Sequence, residues 1–380
     1  MKRFISIILI LTLVATAVLS GCAQRGQAGG DAVSLALSSE IQNWEGTDGV
    51  SAAALLGSMK KAQDKGGKLS IVCTTFPQYD WVRQIVGDST DRVDLTLLLN
   101  SRIDLHSYQP SVGDIVRISE CDLFIYVGGE SDGWVEDILE RVVNDDMIVI
   151  NMIETIGDSA KIEEVIEGME KDSHDGDGDG NIGDADDDGH GGDGDDEHDE
   201  EYDEHVWLSL KNAQILCAVI AYVISALDVE YAETYQNNAT GYIEKLDSLD
   251  SEYQKAVSSA PVKTLLFGDR FPFRYLVDDY GIGYYAAFSG CSAETEASFD
   301  TIIFLTEKVD ELGLKSIMVT ESSDKRLAET IIRESNLGNQ QILVLDAMQS
   351  VTISGETSGT TYLSIMESNL DTIKEALSYG

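Results

Sequence analysis

The stretch VEYAETYQNNATGYIEKLDSLDSEYQKAV, residues 229–257, is long, charged and amphipathic. Its apolar residues recur about every 3.6 positions, which is the period of an α-helix with one buried face. The pattern predicts a single helix of about 25 residues or more, which at a rise of about 1.5 Å per residue is roughly 40 Å long. A helix of that length can run from one end to the other of a protein with two lobes.

Strand-like segments alternate with helical patterns on both sides of this helix. The strands predicted before it include KLSIVCTTF (68–76) and DLFIYVGG (122–129), and those after it include VKTLLFGDR (262–270) and SIMVTESS (316–323). Such alternation is typical of parallel sheets covered by helices on both faces. We therefore predict an α/β fold with two similar lobes joined by the long helix, and a ligand cleft between the lobes where the strands end.

The N-terminus has the pattern of a signal peptide. MKRF carries two positive charges, and the apolar run that follows it, residues 5–19, is too short for a spanning helix. The sequence Leu19-Ser20-Gly21-Cys22 resembles the bacterial lipobox, which implies cleavage after residues 1–21 and a lipid on the thiol of Cys22. The lipid would anchor the protein to the outer face of the bacterial cytoplasmic membrane. Residues 22–66, rich in Gly, Ala, Ser and charge, would form the tether.

The charge of the chain is strongly negative. Its 380 residues carry a formal net charge of −42 with 43% hydrophobic residues, a content normal for a globular protein with a core. Residues 172–205 contain 17 Asp or Glu and no Lys or Arg, which leaves −25 on the remainder. Because nucleic-acid phosphates would be repelled, this charge argues against a nucleic-acid partner.

Four of the five histidines lie in this acidic stretch: His174, His190, His198 and His205. Its low hydrophobicity and like charge predict a solvated loop over 172–204. Two interpretations stay open, an acidic linker for solubility and an auxiliary loop that collects metal ions, because carboxylates and imidazoles both bind metals. Residues 175–186 also match a calcium loop, but a chance match is the favoured interpretation in a stretch so rich in Asp and Gly.

Two motifs around this loop resemble a known family. DLHSYQPSVGDIVRISECDLFIYVGGESDGWVEDIL (104–139) and EHVWLSLKNAQ (204–214) are similar to the zinc- and manganese-binding lipoproteins that feed metal ABC importers. In that family a His-x-Tyr-x-Pro motif opens a helix, and a His-Val-Trp-Leu segment follows an acidic, histidine-rich loop. The resemblance implies lobes at 67–208 and 259–380, joined by helices over 209–258. It also implies a metal ion in the cleft and its delivery to a membrane permease.

The resemblance places His106 and His205 on two metal-ligand positions of the family. The third position follows the first strand of the second lobe, where counting without a gap gives Arg270. Arginine keeps its charge and cannot bind a metal. Asp269 is therefore the favoured third ligand, with a one-residue insertion in the chain.

The fourth ligand implied by the resemblance is Asp346, in ILVLDAMQS. Glu321 is the alternative ligand if Asp269 or Asp346 does not bind the ion. Two imidazoles and two carboxylates form a site for zinc, manganese or iron. Zn²⁺ is favoured because the adjacent loop carries imidazoles, and Mn²⁺ stays open because carboxylates supply the other half. No general base or nucleophile is recognisable, so an enzyme is not predicted.

The leading hypothesis is a monomeric, lipid-anchored protein that captures Zn²⁺ or Mn²⁺ and delivers it to an ABC importer. A surface adhesin or interaction protein stabilised by a metal is the alternative, and a metallohydrolase is a third. The cysteines after Cys22 match no zinc or redox motif. Cys73 and Cys121 are expected to be buried, while the pairing of the cysteines stays open.

Overall fold

The computed structural model describes most of the chain after the predicted tether: residues 67–100, 105–170, 201–292, 296–353 and 359–378. Several predictions lie outside the described residues, namely those for Cys22, His174, His190, His198 and the calcium pattern at 175–186.

Two four-stranded parallel sheets form the frame of the protein. The first has the order β2-β1-β3-β4, with β1 Leu69–Cys73, β2 Val93–Leu97, β3 Leu123–Tyr126 and β4 Ile148–Asn151. The second has the order β6-β5-β7-β8, with β5 Thr264–Phe271, β6 Gly283–Ser289, β7 Ser316–Thr320 and β8 Gln341–Leu345. Because the two orders are equivalent, the predicted pair of similar α/β lobes is confirmed.

Ten α-helices lie between and around the strands in the described parts of the chain. They are α1 Phe76–Val86, α2 Val112–Glu120, α3 Trp134–Leu139, α4 Met152–Ile156, α5 Leu210–Leu227, α6 Ala232–Ser259, α7 Arg274–Tyr280, α8 Phe299–Leu312, α9 Arg326–Glu334 and α10 Tyr362–Leu377. Capping explains several starts: the side chains of Ser111 and Ser209 accept hydrogen bonds from backbone N–H groups in the first turns of α2 and α5.

Helix α6 confirms the long helix predicted from residues 229–257. It has 28 residues, and its buried positions recur at intervals of three or four. They are Ala232, Tyr235, Ala239, Tyr242, Leu246, Leu249, Tyr253 and Val257. This apolar stripe packs against the neighbouring α5, most of which is also buried. α5 is long and apolar enough to cross a membrane, but 83% of it is buried inside the protein, as in a core helix.

One large hydrophobic core connects the two lobes through α5 and α6. It includes Ile71 of the first sheet, Phe267 of the second and Tyr362 of α10, all completely buried. Smaller clusters cover the outer face of each sheet, with α2 and α3 on the first and α8 and α9 on the second. Cys73 and Cys121 are fully buried, as expected from the sequence.

Candidate metal centre

His106 lies beyond the carboxyl end of β2, in a short 3₁₀ turn at Leu105–Ser107. Its Nδ1 atom lies 2.8 Å from Ser131 Oγ and 3.3 Å from Glu204 Oε2. Ser131 belongs to a second 3₁₀ turn that follows β3. The carboxylate next to Nδ1 favours the tautomer with hydrogen on Nδ1, which leaves the lone pair on Nε2.

His205 is fully buried at the start of a 3₁₀ turn, Val206–Leu208. Asp203 Oδ1 lies 3.0 Å from His205 Nδ1 and accepts a 2.8 Å hydrogen bond from its backbone N–H. The carboxylate again assigns the proton to Nδ1 and the lone pair to Nε2, an arrangement that proteins use to orient metal-binding histidines. The segment is fixed to the second lobe, because Trp207 Nε1 donates to the Ala347 carbonyl at 2.9 Å.

The two histidines face each other across the cleft. Their Nε2 atoms are 3.4 Å apart and their ring centroids 5.3 Å apart. Two nitrogen ligands on a tetrahedral zinc ion, with Zn–N bonds of about 2.0–2.1 Å, are about 3.3–3.4 Å apart. Two Nε2 lone pairs at this distance repel unless a cation or a proton lies between them. The pair therefore has the spacing of two ligands of one ion.

Asp269, the predicted third ligand, lies in β5 and contacts the neighbouring strand. One of its oxygens accepts hydrogen bonds from the N–H (3.0 Å) and hydroxyl (2.7 Å) of Thr320, and the other from the N–H of Arg270 (2.8 Å). β5 carries one extra residue relative to β6 between Phe267 and Arg270. The bulge turns the Asp269 carboxylate towards β7, where it joins the ends of two strands.

Asp346 and Glu321 shape the loop that follows β8. Glu321 accepts hydrogen bonds from the backbone N–H groups of Ala347 (2.8 Å) and Gln349 (2.9 Å), and Asp346 accepts one from Met348 (2.7 Å). Met348 has a φ of 62°, a left-handed conformation that these bonds hold in place. Burial and the charge of Glu321 raise the pKa of Asp346 to about 7.

This loop positions Gln349, which was not predicted from the sequence. The side-chain nitrogen of Gln349 lies 2.8 Å from His205 Nε2. With its lone pair on Nε2, His205 accepts this hydrogen bond from the amide. The carboxylates of Glu321 and Asp346 therefore affect the histidine pair indirectly, because they hold the loop that carries Gln349.

Neither Glu204 nor Cys291 was predicted from the sequence as part of the metal centre. Within the described residues, one group of at least three His, Cys, Asp or Glu side chains has ligand atoms within 4.8 Å of one another, and it consists of His106, Glu204 and Cys291. Asp269 and Asp346 are not members of this group. The sequence offered only local features that could have pointed to these residues. Glu204 directly precedes His205, and Cys291 follows Gly290 at the end of a strand.

The surroundings shift the pKa values of Glu204 and Cys291 in opposite directions. Burial raises the pKa of the Cys291 thiol, and the nearby carboxylates Glu163, Asp203 and Glu204 raise it further. Burial also opposes ionisation of Glu204. Contacts with His106 and Ser131 outweigh that effect and hold the pKa of Glu204 below its usual value. The centre thus combines a carboxylate with a protonated thiol.

The known proteins to which the chain is similar include zinc-binding and zinc-uptake proteins. Residues 71–376 match the family model described as "Zinc-uptake complex component A periplasmic". The chain is 31% identical over 323 residues to the zinc-binding lipoprotein AdcA of Streptococcus pneumoniae, covering 85% of this chain and 58% of that protein. It is 28% identical over 344 residues to the high-affinity zinc uptake system protein ZnuA of Bacillus subtilis, covering 89% and 98%.

Solved structures show the same architecture. The crystal structure of the Zn(II)-bound ZnuA-like domain of Streptococcus pneumoniae AdcA is 29% identical, with a TM-score of 0.60, and covers 82% of this chain and 100% of that chain. The metal-dependent lipoprotein YcdH of Bacillus subtilis is 26% identical with a TM-score of 0.62. The chain spans little more than half the length of the full AdcA proteins that it matches. The matches show that it belongs to the family of periplasmic component A of zinc-uptake complexes.

Proposed function

We propose that this protein captures Zn²⁺ outside the cytoplasm and delivers it to the permease of an ABC importer. The observation that carries the proposal is the histidine pair, whose Nε2 atoms approach to 3.4 Å, the spacing of nitrogen ligands on zinc. Each ring is oriented by an oxygen acceptor at Nδ1. The zinc-binding relatives and the family model support the same function.

Of the four ligands expected from the sequence, His106 and His205 are the two that we assign to the ion. The carboxylate oxygens of Asp269 accept hydrogen bonds from a strand, and those of Asp346 and Glu321 support a loop. We assign these three residues to the construction of the cleft. The donor pair is imidazole, which suits zinc better than manganese, because manganese prefers oxygen ligands.

The same proposal covers the parts of the chain outside the described residues. Residues 1–21 act as a signal peptide, a lipid on Cys22 anchors the protein to the outer face of the membrane, and residues 22–66 are the tether. The acidic loop with His174, His190 and His198 collects cations loosely beside the cleft. The protein acts as a monomer, and it binds and releases its ion without catalysing a reaction.

Metal titration of the purified protein tests the function. We expect one high-affinity Zn²⁺ site, much weaker Mn²⁺ binding, and a loss of zinc affinity of at least about 100-fold in His106→Ala or His205→Ala, since losing an outer-sphere partner alone costs about 10–100-fold. His174→Ala is the matched control and should keep the affinity of the high-affinity site.

The titration also separates capture of an ion from a structural metal. A transported ion must leave a folded protein behind, so the far-ultraviolet circular dichroism should persist after chelation. Unfolding on chelation would favour the metal-stabilised adhesin instead. Stoichiometric, tight zinc binding in a variant that lacks both histidines would refute the proposed site.

A further inference from the structure

We propose that the metal shell includes the thiolate of Cys291 together with the imidazole of His106. This inference rests on the proposed function and deepens it, because it gives the site a sulfur donor. The ligand atoms of Cys291, His106 and Glu204 lie within 4.8 Å of one another, and they come from separate parts of the fold. His106 follows β2, Glu204 precedes the Val206–Leu208 turn, and Cys291 follows β6.

The loop after β6 approaches the histidine pair closely. A Cβ atom on Gly290 would lie 3.1 Å from His205 Cε1 and 3.0 Å from the carbonyl oxygen of Phe271. Glycine therefore allows the backbone to pass beside the imidazole ring. Cys291, the next residue, is held by a 3.0 Å hydrogen bond from its backbone N–H to Glu163 Oε1. The sulfur is thus attached to a fixed backbone at the wall of the site.

Glu204 holds His106 in place beside this sulfur. It is only 2% exposed, and its Oε1 atom accepts a 2.7 Å hydrogen bond from the backbone N–H of Ser131. Its Oε2 atom lies 3.3 Å from His106 Nδ1. The carboxylate therefore orients the imidazole and leaves the lone pair of Nε2 for the ion that the sulfur would share.

The dimensions allow the sulfur to reach an ion bound by the histidines. Donors around a tetrahedral zinc are about 3.3–3.6 Å apart, given Zn–N and Zn–O bonds of about 2.0–2.1 Å and Zn–S bonds of about 2.3 Å. From a separation of at most 4.8 Å, the distance between the sulfur and the imidazole nitrogen must shorten by up to about 1 Å. The proton of the thiol leaves to solvent as the Zn–S bond forms.

A thiolate donor has a consequence for metal selection. Soft sulfur ligands favour zinc, whereas manganese prefers carboxylate, carbonyl and water oxygens. Removing the sulfur should therefore lower the affinity for Zn²⁺ more than the affinity for Mn²⁺. Cys291 would then be the residue that makes the site prefer Zn²⁺ to Mn²⁺.

Cobalt substitution of the full chain tests the inference. Co²⁺ bound by a thiolate shows an intense near-ultraviolet sulfur-to-metal charge-transfer absorption, which nitrogen and oxygen donors do not produce. We expect the band in the wild type, its loss in Cys291→Ala, and its retention in Cys217→Ala, the matched control, whose thiol is buried in α5. Zinc affinity should fall about 10-fold or more in Cys291→Ala and in Glu204→Gln.

The outcomes distinguish this inference from the proposed function. If Co²⁺ binds to the wild type in a way that requires His106 and His205 but without the charge-transfer band, the sulfur donor is refuted and the function stands. If neither Co²⁺ nor Zn²⁺ binds to the wild type, both proposals fail. Circular dichroism of each variant shows whether the fold is retained, and a band that persists in folded Cys291→Ala also refutes the assignment.

Discussion

Replacement of Asp203 by asparagine should weaken zinc binding although this residue is not assigned as a ligand. Asp203 is 2% exposed, and its Oδ1 atom receives both the Nδ1 proton and the backbone N–H of His205. Asparagine keeps the shape and an acceptor oxygen but removes the negative charge. His205 would then be held less firmly, and its Nε2 atom would be a weaker donor to the ion.

The size of the effect follows from the hydrogen bond that changes. A hydrogen bond to a charged group contributes about 1.5–3 kcal/mol and a neutral one about 0.5–1.5 kcal/mol. The difference, about 1–1.5 kcal/mol, corresponds to a loss of zinc affinity of about 5–10-fold. Competition against a chromophoric zinc chelator at neutral pH measures such a change directly.

Asp228→Asn provides the matched control for Asp203→Asn. Asp228 is also a nearly buried carboxylate, with hydrogen bonds to Arg92 (2.7 Å) and Tyr235 (2.8 Å), but it lies at the opposite end of α5, about 27 Å along the helix. Its replacement should lower the melting temperature and leave zinc affinity within about twofold of wild type. Equal zinc affinity in folded Asp203→Asn and wild type would refute the proposed orientation of His205.

Three further results are expected. Leu246→Ala, at a fully buried position of α6, should lower the free energy of unfolding in urea by about 2–5 kcal/mol, whereas exposed Glu244→Ala should change it by less than about 0.5 kcal/mol. Burial raises the pKa of Asp132 to about 7, so the folded metal-free protein binds an extra proton between about pH 4 and pH 7. Its unfolding free energy should therefore fall as the pH rises through that window, by up to about 1.4 kcal/mol per unit relative to Asp132→Asn, and parallel pH profiles would contradict this. Deletion of residues 172–200 should slow zinc capture at low metal concentration and keep the single high-affinity site in a titration; loss of that site would show that the loop supplies ligands.

Most of the fold was predictable because it depends on local periodicity. The stripe that includes Leu246, Leu249 and Tyr253 has helical spacing in the sequence and is buried in α6. Strand β4 was not predicted. Its four residues, IVIN, run directly into α4 at Met152, so the apolar run shows no boundary between strand and helix.

The candidate site was only partly predictable, for a physical reason. His106 and His205 lie in motifs of the family, and the structure brings them together. A carboxylate at a strand end is equally suited to a metal ion and to backbone N–H groups, and sequence spacing does not distinguish these uses. Asp269 and Asp346 turn to N–H groups, while Glu204 and Cys291 reach the histidines through contacts between distant parts of the chain.

The shared core of the two lobes limits how an ion can leave. Asp80 of α1 accepts a 2.9 Å hydrogen bond from the backbone N–H of Tyr362, and the Tyr362 hydroxyl donates to the carbonyl of Trp207 at 2.7 Å. Swinging the lobes apart as rigid bodies would break these bonds and expose the apolar stripe of α6 to water. A movement of the protein that keeps these bonds must therefore be local to the loops around the histidine pair, with the central helices unchanged.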